Sequence, residues 1–87
     1  MKKQDLIEVN YDGWYVESAD DNIITLRSDY TEDPIAEIYI KLEDEDLITV
    51  SYSSQNGDGV FFQSNISTPE EVAKLTIEYA NDHFDYD

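Results

Sequence analysis

Residues 36–52 read AEIYIKLEDEDLITVSY. Apolar side chains alternate with polar ones on both sides of an acidic break: Ala36, Ile38, Ile40 and Leu42 precede it, and Ile48, Val50 and Tyr52 follow. Glu37, Tyr39 and Lys41 occupy the odd positions of the first run, and Thr49, Ser51 and Ser53 those of the second. In extended chain, successive side chains point to opposite faces, so a period of two marks half-buried strands. The break, Glu43-Asp44-Glu45-Asp46, reads as the turn of an antiparallel hairpin.

The same pattern recurs upstream, where Trp14, Val16 and Ser18 alternate with Tyr15 and Glu17, and Ile24 and Leu26 with Ile23, Thr25 and Arg27. Even-numbered residues face inward in all four segments. Opposed residues of an antiparallel pair share a face, so even must pair with even and each connecting loop must hold an odd number of residues. Ala19-Asp20-Asp21 then fits a three-residue loop, and the turn near Glu43–Asp46 should hold three or five. Asn56-Gly57-Asp58-Gly59 signals a further hairpin turn. The strand after it, Val60 to Ser64, has an open register, because Val60, Phe61 and Phe62 offer apolar residues to both faces.

Thr68-Pro69-Glu70-Glu71 starts a helix. Thr68 caps it, proline suits the first helical position, and Glu71 can close a capping box. Val72, Ala73, Leu75, Ile77, Tyr79, Ala80 and Phe84 form a broad apolar arc opposite Lys74, Glu78, Asn81 and Asp82. A helix with such an arc must lie across one face of the sheet. The expected fold is α+β: one domain over 1–87, an antiparallel meander of four or five strands with one C-terminal helix on one face. Leu6, Ile7 and Val9 could begin a strand or a short helix. The second sheet face would carry Tyr15, Glu17, Ile23, Thr25, Arg27, Glu37, Tyr39, Lys41, Thr49 and Ser51.

Charge sets the class of partner. The chain holds 21 acidic residues against 5 basic ones, a net charge of −16. That field repels nucleic acid and anionic membrane and attracts basic surfaces. Lys2, Lys3, Arg27, Lys41 and Lys74 are scattered, so no phosphate-binding patch is expected. Seven tyrosines, three phenylalanines and a tryptophan are too many for a disordered acidic tail. Without cysteine there is no disulfide, thiol nucleophile or thiolate metal site. Lys2 and Lys3 are not followed by the apolar run of a signal peptide, and the expected location is cytoplasmic.

Catalytic chemistry has few candidates. His83 stands alone near the end of the helix, and no serine sits in a nucleophile elbow. Close carboxylate pairs arise by chance among so many acids. Asn56-Gly57-Asp58-Gly59 lacks the lysine and following helix of a phosphate loop. Asp20-Asp21-Asn22, Glu43–Asp46 and Asn56-Gly57-Asp58 offer oxygen ligands but not the spacing of a calcium loop. The expectation is a chain that is not an enzyme and has no cofactor and no dedicated metal.

Its acidity points instead to imitation of nucleic acid. A folded chain of this mass exposes roughly 5,300 Å², or about one net charge per 330 Å². Duplex DNA carries about one per 100 Å² of its cylinder. Segregated on one side, the protein's charge would approach that density. The Asp20-Asp21 turn, the Glu43–Asp46 turn and the Asp82–Asp87 tail are the segments suited to such a stripe. Tyr11, Trp14, Tyr15, Tyr30, Tyr39, Tyr79 and Tyr86 interleave with acids, and exposed tyrosine suits a protein-binding hot spot. In size, cysteine-free acidity and sheet-plus-helix design, the chain resembles small inhibitors made by phages and mobile elements. These include DNA-mimicking inhibitors of DNA repair, restriction or CRISPR nucleases. The resemblance is one of type and assigns no residue.

The resulting expectation is a small acidic module that binds a basic protein surface, that of a nucleic-acid-binding enzyme, and blocks it. Asp20, Asp21, Glu43, Asp44, Glu45, Asp46, Tyr15, Tyr39 and Glu37 are the expected contacts. The alternative is an accessory domain working through its open sheet face, or as a homodimer joined by Tyr15, Ile23 and Tyr39.

Overall fold

The alternating run at 36–52 forms the centre of a five-stranded antiparallel sheet in the computed structural model, which describes residues 1–86. A short helix α1 (Lys3–Glu8) precedes β1 (Tyr15–Asp20), β2 (Ile23–Arg27), β3 (Glu37–Leu42), β4 (Leu47–Ser54) and β5 (Gly57–Asn65). Helix α2 (Pro69–His83) closes the chain order, and the strands lie side by side in that order. The fold is α+β, a five-stranded meander with a C-terminal helix.

The central strands obey the parity argument. Ile24 pairs with Ile40 and Leu26 with Ile38 across β2 and β3; Ile40 pairs with Val50 and Leu42 with Ile48 across β3 and β4. The Glu43 N–H donates to the Leu47 carbonyl at 2.9 Å, leaving Asp44-Glu45-Asp46 as a three-residue turn. All these even-numbered aliphatics except half-buried Leu42 are buried.

The outer hairpins break it, each through a β-bulge. In β1 the pairing passes from Val16–Leu26 to Ser18–Thr25, so Glu17 is an extra residue. One extra residue reverses the parity of every later residue in the strand. Ala19 therefore pairs with Ile24 and is half-buried, while Ser18 is exposed. The expected three-residue loop becomes the two-residue turn Asp21-Asn22, with Asp21 in the left-handed region at φ 51. Aspartate is among the few side chains that tolerate this region.

In the last hairpin the pairing passes from Val50–Phe62 to Ser51–Val60, and Phe61 is the extra residue. The bulge resolves the open register. Phe62 lies opposite core residue Val50, yet Phe61 also turns to the helix side, stacking on Tyr52 and meeting Tyr79, His83 and Phe84. Val60 faces the open side and is 64 % exposed. The turn itself is Gln55-Asn56, one residue earlier than expected, and Gly57 takes φ 125, which suits glycine.

Helix α2 begins as read: the Glu71 N–H donates to the Thr68 hydroxyl, and Pro69 is the first helical residue. Its buried face is Val72, Ala73, Thr76 and Ala80. Thr76, absent from the apolar arc, sits at the centre of that face with no accessible surface. The first residues resolve into helix α1, which buries Leu6. Between α1 and β1, Tyr11 and Trp14 are core residues. The Tyr11 hydroxyl donates to the Leu6 carbonyl, and Trp14 Nε1 donates to the Tyr86 hydroxyl at 3.0 Å. Of the aromatics that interleave with acids in the sequence, these two are thus buried in the core and not exposed.

Candidate functional site

A meander places alternate turns at the same end of its sheet. The β1–β2 turn (Asp21-Asn22) and the β3–β4 turn (Asp44–Asp46) are thus neighbours. Asn22 fixes their relation: its carbonyl accepts the Leu42 N–H at 2.9 Å and its side-chain amide donates to the Leu42 carbonyl at 3.0 Å. Asp20, Asp21, Glu43, Asp44, Glu45 and Asp46 consequently share one end of the molecule, the hairpin tip.

Their local roles differ. Glu43 is locked: Lys41 Nζ is 3.0 Å from its carboxylate, the Thr49 hydroxyl donates at 3.0 Å and the Gln63 amide at 3.2 Å. The Lys41 and Thr49 contacts hold its carboxyl below the usual range. Asp46 faces the terminal ammonium of Met1 at 3.2 Å. The Asp44 carboxylate accepts the Glu45 N–H at 2.8 Å, shaping the turn. Among the described residues, Asp20, Asp21, Asp44 and Glu45 enter no ion pair. They are the tip charges free to meet a partner. Gln63, which holds Glu43 and donates to the Thr49 hydroxyl at 2.8 Å, gave no signal in the sequence, because its contact depends on the β5 register.

The remaining expected contacts lie away from the tip. Tyr39 is central on the open face, between Thr25 and Ser51. Burial, with help from the Glu37 carboxylate, pushes its phenol pKa up. Tyr15 and Glu37 stand at the opposite end beside Arg27, four residues or about 13 Å along β3 from Lys41 in the case of Glu37. Arg27 lies 3.3 Å from Glu17 and 3.9 Å from Glu37, and donates to the Pro34 carbonyl. The two cations of the open face therefore tether its own acids.

The expected continuous stripe is not formed. The tail runs to the end away from the tip, where the Glu32 N–H donates to the Asp85 carbonyl and Thr31 bridges Tyr86. The helix carries the chain back across the sheet, so the tail cannot join the turns; Asp87 lies outside the described residues. Acidic charge is split between two ends. Over the 5093 Å² surface the 16 net charges average one per about 320 Å², a third of the density of duplex DNA.

His83 is exposed at the end of α2 and leans on aromatic neighbours. Its ring stands 4.1 Å from that of Tyr52 and 4.8 Å from Phe84. Among the described residues no group of three His, Cys, Asp or Glu is arranged to hold a metal, and no helix is long and apolar enough to cross a membrane. No protein-family model, curated protein or solved structure matches the chain.

Proposed function

We propose that this chain is an acidic binding module that docks its hairpin tip on a basic surface of a nucleic-acid-binding protein and blocks it. One observation carries the reading: Asn22 clamps the β1–β2 turn to the β3–β4 turn, so six carboxylates converge although 21 residues of chain lie between Asp20 and Leu42. Four of the six have no ion-pair partner among the described residues, so their field is available to steer association. The mechanism is electrostatic and steric competition with nucleic acid.

The test is capture from nuclease-treated bacterial lysate on the immobilised protein, with a salt gradient and identification by mass spectrometry. A nucleic-acid enzyme that elutes at elevated salt, is competed by DNA, and is lost with D20K/E45K supports the reading. Retention of the same protein by D20K/E45K removes the tip from the mechanism.

A second reading has its own observation. Tyr15 and Ile23 are 46 % and 37 % exposed on a sheet face whose cations are already paired. Apolar exposure without free charge suits homodimerisation. Sedimentation that shows a dimer in the parent chain and a monomer for Ile23→Lys would favour it.

A further inference from the structure

The two edges of the sheet are treated differently. Both edge strands carry a bulge, but β1 has only six residues and carries Glu17 and Asp20. Charge and shortness are ways of discouraging strand pairing at an edge. β5 has nine residues, and within it only Asp58 is charged; the stretch from Gly59 to Pro69 holds no charge at all. In a chain with 30 % charged residues, eight of the nine positions of this edge are neutral. Among the described residues no strand pairs with its outer side.

Helix α2 runs beside that edge. Glu71, Leu75, Tyr79 and Asp82 fall on one stripe of the helix at spacings of four, four and three. Tyr79 meets Phe62 at 5.1 Å and Phe61 at 5.8 Å between ring centroids. Two hollows lie along the seam. One, of about 400 Å³, is walled by Tyr52, Phe61, Tyr79 and His83; the other, of about 320 Å³, is mostly polar, with Ser64, Asn65, Ser67 and Thr68 around Ile66 and Leu75. Tyr79 is 42 % exposed. Each hollow also holds a carboxylate, Asp82 in the first and Glu71 in the second. The helix's lysine, Lys74, lies on the opposite flank, in the groove against Val9.

Unpaired strand backbone, an aromatic well on one side and acids along the seam are the parts of a strand-addition site. We infer that the β5–α2 seam receives an extended segment of a partner protein as a sixth strand, with apolar residues at alternate positions and lysine or arginine between them. The inference rests on the basic partner proposed above and states the chemistry of its docking segment. A second copy of this chain suits the seam poorly, since it brings another net charge of −16. The groove against Val9, of about 410 Å³, has no strand edge and cannot bind in this way.

The experiment titrates the ¹⁵N-labelled full chain with an acetylated and amidated nine-residue peptide of alternating lysine and valine. Amide shifts over 57–65 and over the second half of α2, saturating with peptide, are expected. N-methylation of every second peptide residue should weaken binding about tenfold or more, because it removes backbone donors while keeping charge. The helix-surface variant E71K/D82K, checked for an unchanged circular dichroism spectrum, should lose a similar factor. Shifts confined to 20–21 and 43–46 would overturn the inference and leave the hairpin-tip reading standing. Equal binding of the methylated peptide would overturn it too, as would absence of binding. Protection of 57–65 in the chain alone, with a dimeric mass by sedimentation, would give the seam to a second copy and likewise overturn it.

Discussion

Replacing Thr76 by valine should stabilise the protein. Thr76 lies in the middle of α2, has no accessible surface, and its hydroxyl has no hydrogen-bond partner. A buried polar group without a partner costs about 1–3 kcal/mol in lost solvation. Valine keeps the shape and puts a methyl where the hydroxyl was. Threonine and valine have nearly equal helix propensities, so the backbone contributes little to the difference. The expected gain is about 1–2 kcal/mol. For a domain of this size each kcal/mol moves the midpoint by about 4–8 °C, so Tm should rise by roughly 4–16 °C. Urea unfolding followed by far-ultraviolet circular dichroism measures the gain directly, and the slope with urea should stay constant. Thr76→Ser separates the two parts of the side chain: it keeps the hydroxyl, loses the methyl, and should destabilise by about 1 kcal/mol. Equal or lower stability of Thr76→Val would refute the reasoning and mean that the hydroxyl bonds a carbonyl of the preceding turn.

Tyr11→Phe removes the donor from the buried Leu6 carbonyl and should cost about 1–3 kcal/mol by the same urea assay. Burial raises the Tyr11 phenol above its ordinary value of 10.0, so the unfolded chain releases this proton first. Its contribution is intact below about pH 10 and falls as pH rises further, by up to about 1.4 kcal/mol per pH unit; the alkaline loss should be shallower in the phenylalanine variant. Gly59→Ala should cost about 1–3 kcal/mol and alter the near-ultraviolet spectrum, because a Cβ there would stand 2.5 Å from the Tyr52 hydroxyl and 2.7 Å from its ring. Glu43 should titrate below an ordinary glutamate by carboxyl NMR and move up in Lys41→Met. With its folded value depressed, Glu43 supports the fold above the usual carboxylate range, and that support is lost as pH falls.

The central hairpin is legible in the sequence because nothing interrupts its alternation: every even residue from Ala36 to Leu42 and from Ile48 to Val50 is apolar, and the ladder pairs them without a shift. Helix α2 is legible from Thr68 and Pro69, whose local chemistry does not depend on tertiary structure. The outer hairpins depart from the expected parity for one reason. A bulge changes parity without changing composition: Glu17 fits the expected alternation of its strand, and Phe61 stands between two other apolar residues. Thr76 escapes a hydropathy reading because hydropathy ranks a residue by its side chain, whereas the packing direction of α2 decides its burial. At the candidate site, the acidic turns are visible in the sequence, but their shared end follows from topology and from the Asn22–Leu42 clamp. The tail lies at the other end from the one expected because its position depends on the length and direction of α2.

Strand order equal to chain order has a consequence for synthesis. Each strand finds its partner next to it in the chain, so loop closure costs little and the sheet can assemble as it leaves the ribosome. Its cover comes last. Until residues 69–83 emerge, the aliphatic face built on Ile24, Ile40 and Val50 has only the segment of Leu6, Tyr11 and Trp14 to cover it, which invites coalescence with other nascent chains. Residues 1–68 already hold 15 acidic side chains against 4 basic ones. Mutual repulsion then guards the half-finished molecule, and a neutralised variant should precipitate during production even where its finished form is stable.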